Sequence, residues 1–310
     1  MSIDLQASNT YLSSFLFSFD LQTSFMAVRI FWFLLLFPSF LFSQTFTPEV
    51  YDSKNRSKVE LSSIIEKAKD ADVIIFGEEH NDKIGHAWKL EAFKKLTSEY
   101  STLLSLEMLE KDQQRSVDEY CKGEITERGF LNSGKFWPNY QTDYHPMVLF
   151  AKEKNLPVLA ANAPRKYVNL VSHQGLDSLY KIRSPFLPPR YTYNLFRQKE
   201  YEELLSAMIA EHGPTGFSPD KQKFIDAQYV WDASMADSIA EASFLLKRKI
   251  VHVNGRFHSD RNLGLTYRLK QMGLNVLTVS IFPSEEGKSF QEEDWKLADF
   301  LVITERKPVP

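Results

Sequence analysis

The chain has 310 residues, 43% of them hydrophobic and 25% charged, with a formal net charge of −3. This length suits one large domain or two modest ones. The near-neutral charge argues against a protein that binds a nucleic-acid backbone, because such a protein needs a concentrated basic face. The aromatic content of 14% fits a Phe-rich leader plus a well-filled core, and it also suits a pocket for a flat apolar ligand.

The first 43 residues are predicted to lie outside the folded domain. From Met26 the sequence continues through Arg29, an apolar run over 30–42, and then Ser43 and Gln44. A charged start, an apolar segment of about 7–15 residues and a small residue before the cut are typical of a secretory signal peptide. We therefore expect a leader starting at Met26, cleavage near Ser43, and a periplasmic or secreted product that meets the membrane only through its leader.

The single cysteine, Cys121, excludes an internal disulfide. It does not follow the leader, so we expect no lipid anchor through an N-terminal cysteine. Residues 44–310 are predicted to form one domain.

Short apolar runs alternate with amphipathic stretches after a polar lead-in over 44–60. The predicted strands cover 72–76, 102–106, 157–161, 249–253 and 275–282. Several are hydrophobic at every position, which is typical of buried parallel strands. The predicted helices cover about 85–98, 112–122, 144–155, 164–173, 220–247 and 261–271. This alternation indicates an α/β fold with a mainly parallel sheet flanked by helices.

Residues 174–219 interrupt the alternation. Pro185, Pro188 and Pro189 exclude a regular element there. We predict a helical or irregular insertion that caps a ligand site over the sheet, although a passive excursion of the chain would have the same composition.

Polar side chains follow four of the predicted strands. They lie in the segments Gly77–His80 and Asn162–Arg165, at Glu107, and in the segment Gly255–His258. Ligands of open parallel sheets bind beyond the carboxyl ends of the strands. The sequence therefore predicts that His80, Glu107, Asn162 and His258 converge on one crevice.

Gly77 and Gly255 are expected to permit a positive φ or a close backbone approach where a strand turns into a helix. The N-terminus of such a helix would favour an anion, for example a ligand carboxylate or propionate. Glu78 and Glu79 either face the site or complement the helix dipole as first-turn acids.

One face of the long predicted helix is polar at its centre. The face consists of Ile225, Gln228, Asp232, Met235 and Ile239, which are spaced by three or four residues. Buried amides and carboxylates need partners. Gln228 and Asp232 therefore either bond to a neighbouring loop or orient a histidine of the site.

Five segments together are similar to one known family. They are GEEHND (77–82), LEM (106–108), ANAPR (161–165), AQYVWDASMADSIA (227–240) and VNGRFHSDRNLGLTYRL (253–269). Their order and spacing resemble the ChaN family of haem-binding, iron-uptake-associated proteins, over about residues 60–282. That family shares a superfamily with Tiki-type metalloproteases and erythromycin esterases. The resemblance implies a haem-related role outside the cytoplasm, with enzymatic relatives that use the same His and Glu positions.

The first functional hypothesis is an exported haem-binding protein linked to haem or iron uptake, and the resemblance implies that a homodimer could share the haem. The predicted cofactor-binding residues are Glu78, His80, Asn162, Arg165, Gln228, Asp232, Arg256 and His258. His80 and His258 are the favoured iron ligands, with Tyr191 and Tyr193 as alternatives.

The second hypothesis is a peptidase-like or esterase-like hydrolase that uses the two Gly-x-x-His segments, with or without a divalent metal ion. Its predicted catalytic residues are His80, Glu79, Glu107 and His258, and its predicted metal ligands are His80, Glu107 and His258. A third hypothesis is a degenerate relative that binds a partner protein.

Overall fold

The computed structural model describes residues 48–212, 220–284 and 291–305. Its strands are β1 (Glu49–Asp52), β2 (Ser57–Val59), β3 (Val73–Glu78), β4 (Thr102–Glu110), β5 (Val158–Asn162), β6 (Lys249–Gly255), β7 (Val276–Ser284) and β8 (Phe300–Glu305). They form one sheet in the order β2-β1-β8-β7-β3-β6-β4-β5. The strands from β8 to β5 are parallel, and β1 and β2 are antiparallel. The predicted α/β class with a mainly parallel sheet is confirmed.

The helices of the described ranges lie on both faces of this sheet. They are α1 (Leu61–Lys67), α2 (Lys83–Glu99), α3 (Gln114–Cys121), α4 (Glu127–Leu131), α5 (His145–Glu153), α6 (Arg165–Gln174), α7 (Lys199–His212), α8 (Lys221–Leu246) and α9 (Gly264–Gln271). A π-helical turn, Tyr140–Tyr144, precedes α5. Within these ranges, none of the helices combines the length and apolar character that a bilayer crossing needs.

The central strands are buried on both faces, and alternate residues contact different helices. In β3, Ile74 and Phe76 pack in the core beneath α2 and α5, whereas Val73 and Ile75 pack with α8 and α9. This two-sided burial explains the continuous apolar runs of the sequence. The face of the sheet on which a polar side chain lies at a strand end also determines which helix it can contact.

No strand was predicted in the polar lead-in over 44–60, but β1 and β2 pair there as an antiparallel hairpin. In β1 only Val50 is fully buried. Short strands of this kind lack the apolar run by which strands are recognised in a sequence. The predicted leader, residues 1–43, lies outside the described residues.

The described part of the predicted insertion packs along α8. Tyr193 joins a cluster with Val230, and Tyr201 of α7 packs with Tyr229. None of its described residues lines the cleft described below. The prediction that the insertion caps the site is therefore not confirmed.

Candidate functional site

The carboxyl ends of β3, β6 and β4 lie side by side at the centre of the sheet. Glu78 is in register with Gly255, and Leu106 with Val253. The backbone N–H of Gly255 donates to Oε2 of Glu107 over 2.6 Å. The parallel register thus brings the two Gly-x-x-His segments and Glu107 together, as the strand-end pattern predicted.

A cleft of about 710 Å³ opens at this edge. It is lined by Glu78, Glu79, His80, Asn81, Lys83, Pro138, Asn139, Asp143, Gly255, Arg256 and Phe257. The side chain of His80 is 37% exposed, and its ring centroid lies 4.8 Å from that of Trp137. His80 is therefore the histidine that a ligand in the cleft can reach.

Gly77 and Gly255 are required because other atoms approach them closely, and not because their backbone has a positive φ. A Cβ on Gly255 would lie 2.6 Å from Nε2 of His80, and a Cβ on Gly77 would lie 2.5 Å from Oγ of Ser259. Gly255 itself has φ −58°. Any side chain at Gly255 would displace the His80 ring.

His80 is held through Nδ1. This atom lies 3.1 Å from Oε1 of Glu78 and 3.1 Å from the hydroxyl of Tyr144, which itself donates to the same carboxylate oxygen over 2.5 Å. Burial lowers the pKa of His80, and the charge of Glu107 partly opposes that shift. The arrangement favours a neutral ring whose Nε2 is turned towards Gly255.

Glu78 belongs to β3 and not to a helix, so its predicted alternative role as a first-turn acid is wrong. Its side chain is buried and forms an ion pair with the fully buried Lys89 of α2. Helix α2 begins at Lys83, and its free amides are capped by the side chain of Asp82. The N-terminus of α2, the helix that follows the first Gly-x-x-His segment, is therefore already occupied by Asp82.

His258 lies behind the cleft on the side of α8. Its Nδ1 is 2.7 Å from Oδ1 of Asp232, and its Nε2 is 3.9 Å from Oε1 of Glu107. Burial alone would lower its pKa, but the charges of Asp232 and Glu107 raise the pKa to about 9. His258 is therefore protonated at neutral pH and enclosed between two carboxylates.

The polar helix face is confirmed, because all five of its residues are buried in α8. Asp232 reaches His258, so the predicted orienting role matches its position. Gln228 is buried on the same helix, one turn away.

The remaining predicted residues separate into two groups. Arg256 lines the cleft and lies 3.5 Å from Glu79, and its Nε donates to Asp260. Asn162 caps the backbone N–H of Ala163, and Arg165 pairs with Glu110 beside the edge strand β5. Asn162, Arg165, Gln228, Asp232 and His258 do not line the cleft.

The predicted metal ligands His80, Glu107 and His258 are neighbours across Gly255. Among the residues that the structure describes, however, no group of three His, Cys, Asp or Glu side chains is arranged to hold a metal ion.

Sequence reasoning missed Lys89, Tyr144 and Asp143. Lys89 follows His86 by three residues and so shares its helix face, a signal that the sequence contained. The π-helical turn that supplies Tyr144 and Asp143 has no comparable pattern in the sequence.

Comparisons with known proteins agree with this architecture. The profile of a family described as "Haem-binding uptake, Tiki superfamily, ChaN" matches residues 64–269. Comparison with curated protein sequences gives no match.

Among solved structures, the chain is similar to one described as cofacial haem binding to ChaN of Campylobacter jejuni. The TM-score is 0.61 at 18% identity, covering 83% of this chain and 96% of the other. The type III effector HopBA1 gives 0.46 at 13% identity, covering 80% and 94%. An erythromycin esterase in its open conformation gives 0.43 at 11% identity, covering 77% of each. The likeness to the first structure shows a shared fold.

Proposed function

The chain belongs to the family described as haem-binding uptake, Tiki superfamily, ChaN, and on that premise we propose that it binds haem in the cleft beside His80, as part of haem or iron uptake. The observation that supports this site is the exposure of His80 in a cleft of about 710 Å³. That volume lies within the range of about 300–1,000 Å³ that is usual for cofactor sites.

The residues present suit a haem. His is one of the four residue types that hold haem iron, and His80 offers Nε2 towards the cleft. Trp137, Pro138 and Phe257 supply apolar surface nearby, while Lys83 and Arg256 supply cations that could pair with propionates. When bound, haem supplies the iron chemistry, and these residues orient it and limit its contact with water.

The other predicted iron ligands fit less well. His258 is buried, is bonded through Nδ1 to Asp232, and does not line the cleft. Tyr193 is buried in the α6–α8 cluster, and Tyr191, which is 69% exposed, does not line the cleft.

Titration of the purified protein with haemin tests the proposal. We expect a shifted Soret band in the unaltered protein, an affinity at least about tenfold lower in His80→Ala, and no change in His173→Ala, which alters an exposed histidine of α6. A free-haemin spectrum throughout would refute haem binding, and unaltered binding by His80→Ala would refute the assigned ligand.

One observation favours a hydrolase as a second candidate. The pKa of His80 is lowered while that of His258 is raised, and such divergence characterises acid–base pairs in active sites. In this alternative, neutral His80 acts as general base on water, with Glu107 and charged His258 behind it. Turnover of peptides or esters that His80→Ala abolishes and His173→Ala preserves, in a protein without a haemin-dependent Soret shift, would favour it. Elemental analysis in parallel would detect a bound metal ion.

Export is also part of the proposal. It is supported by the leader pattern between Arg29 and Ser43. Mass spectrometry of the protein recovered from the periplasm or medium should give a mature chain that begins near Gln44. Light scattering with and without haemin would test for a homodimer.

A further inference from the structure

Lys89 is a fully buried lysine that does not line the cleft. Its ammonium pairs with Oε2 of Glu78, lies 3.0 Å from Nδ1 of His86, and faces the ring of Tyr144 at 5.4 Å. An ammonium is costly to bury, and an apolar side chain would fill the same space. Its position between a carboxylate, a histidine and a tyrosine suggests a role beyond packing.

The donor and acceptor properties of these groups determine where the ring protons lie. Nδ1 of His86 lies 3.0 Å from Nζ of Lys89 and 3.3 Å from Oε2 of Glu78. Burial lowers the pKa of Lys89, and the charge of Asp143 opposes that shift. As an ammonium paired with Glu78, Lys89 can only donate, so Nδ1 of His86 accepts from it. The other nitrogen of His86, Nε2, then carries the hydrogen, and its acceptors are the backbone oxygen of His80 at 3.2 Å and Oδ2 of Asp143 at 3.5 Å.

His80 is in the opposite situation. Glu78, ionised by its pairing with Lys89, can only accept, so Nδ1 of His80 carries the hydrogen. The hydroxyl of Tyr144 already donates to the same oxygen. Nε2 of His80 is left with a lone pair on the side of Gly255, which lines the cleft.

We propose that Lys89 is a positioning residue that fixes opposite tautomers of His86 and His80, so that His80 presents the lone pair of Nε2 to the cleft. The use of that lone pair rests on the proposed haem site. The tautomers themselves belong to the ligand-free protein and can be measured without haem.

Ring ¹⁵N NMR of the ligand-free, histidine-labelled protein reads both tautomers directly, with signals assigned through His80→Gln and His86→Gln. We expect a hydrogen on Nδ1 of His80 and on Nε2 of His86 in the unaltered protein. Lys89→Met should give mixed tautomers at both rings. Lys94→Met, at a half-exposed lysine of the same helix, should change neither. A hydrogen on Nε2 of His80 in the unaltered protein, or unaltered tautomers in Lys89→Met, would overturn the inference.

Because Lys89→Met leaves a buried carboxylate unpaired and could prevent folding, a double variant complements it. Glu78→Gln/Lys89→Met removes both charges, and its amide can present either an oxygen or an NH₂ group to His80. Mixed tautomers and a haemin affinity about 10–100-fold lower are expected. Single, unaltered tautomers in this variant would overturn the inference. If the unaltered protein shows the expected tautomers but binds no haemin, only the proposed haem site is refuted.

Discussion

The two Gly-x-x-His segments end in histidines of opposite character. His80 borders an open cleft, and burial lowers its pKa. His258 is 7% exposed, and two carboxylates raise its pKa to about 9. In each segment the glycine permits a close approach of backbone and side chain, so the glycines do not explain the difference.

The difference follows from the face of the sheet on which each histidine finds its partners. His80 is bonded to Glu78, whose charge is compensated by Lys89 of α2. His258 is bonded to Asp232 of α8, and the charge of Asp232 helps to raise the pKa of His258. Two segments with the same Gly-x-x-His pattern therefore acquire different chemistry from the helices that cover them.

The largest effect is expected from Asp232→Ala. This change leaves charged His258 buried without its main partner, and breaking a buried pair costs about 3–5 kcal/mol of unfolding free energy. Urea denaturation measures the loss. Asp177→Asn, at an exposed aspartate, should change stability by less than about 0.5 kcal/mol. Equal stability of the two variants would contradict the pairing assigned to His258.

The pH dependence of stability should show the charge on His258. Its pKa is about 9 in the folded chain and about 6.5 in an unfolded one. Because the folded state binds the proton more tightly, this stabilisation is complete below about pH 6.5 and is lost as the pH rises through about 9. The free energy of unfolding should fall by roughly 3 kcal/mol over this pH range.

Urea titrations between these pH values should show the decline in the unaltered protein and a flatter profile in His258→Gln. His252 gives the contrasting case. Burial lowers its pKa to about 3, so its contribution is present above about pH 6.5 and falls on acidification. An unaltered profile in His258→Gln would mean that the ring is neutral.

Gly255→Ala tests the close contact between the two segments. The added methyl group would meet Nε2 of His80 at 2.6 Å, which is expected to cost about 1–3 kcal/mol of stability and to weaken haemin binding. Gly129→Ala, at an exposed position of α4, should change stability by no more than about 1 kcal/mol, since alanine favours helix. Calorimetry and haemin titration of both variants would show whether the site tolerates the displacement.

The smallest effect is expected from Lys83→Gln. This exposed lysine at the cleft would pair with a propionate at the surface, an interaction worth up to about 1 kcal/mol. Haemin affinity should fall by about fivefold or less, and the difference should disappear at high salt. A larger loss that persists in salt would indicate a buried contact.

The central parallel strands and their helices were predictable from the sequence, because burial on both faces gives runs that are apolar at every position. β1, β2, β8, α1, α4 and α7 were not predicted. Short or partly exposed elements such as β1, β2 and α4 have no such signal, whereas the apolar run of β8 was overlooked. Asp232 was identified from its place on the buried face of α8. Lys89 was overlooked, because a lysine is rarely buried and its partner Glu78 is eleven positions away in the chain.

The sequence by itself determined the α/β class, the strand ends at which polar residues collect, and the two histidines of the Gly-x-x-His segments. Only the tertiary structure decided which histidine faces the cleft and which is buried and charged. The reason is that a pKa and an exposure depend on groups brought together from distant parts of the chain. Asp232 approaches His258, and Lys89 approaches Glu78, only once the helices have packed on opposite faces of the sheet.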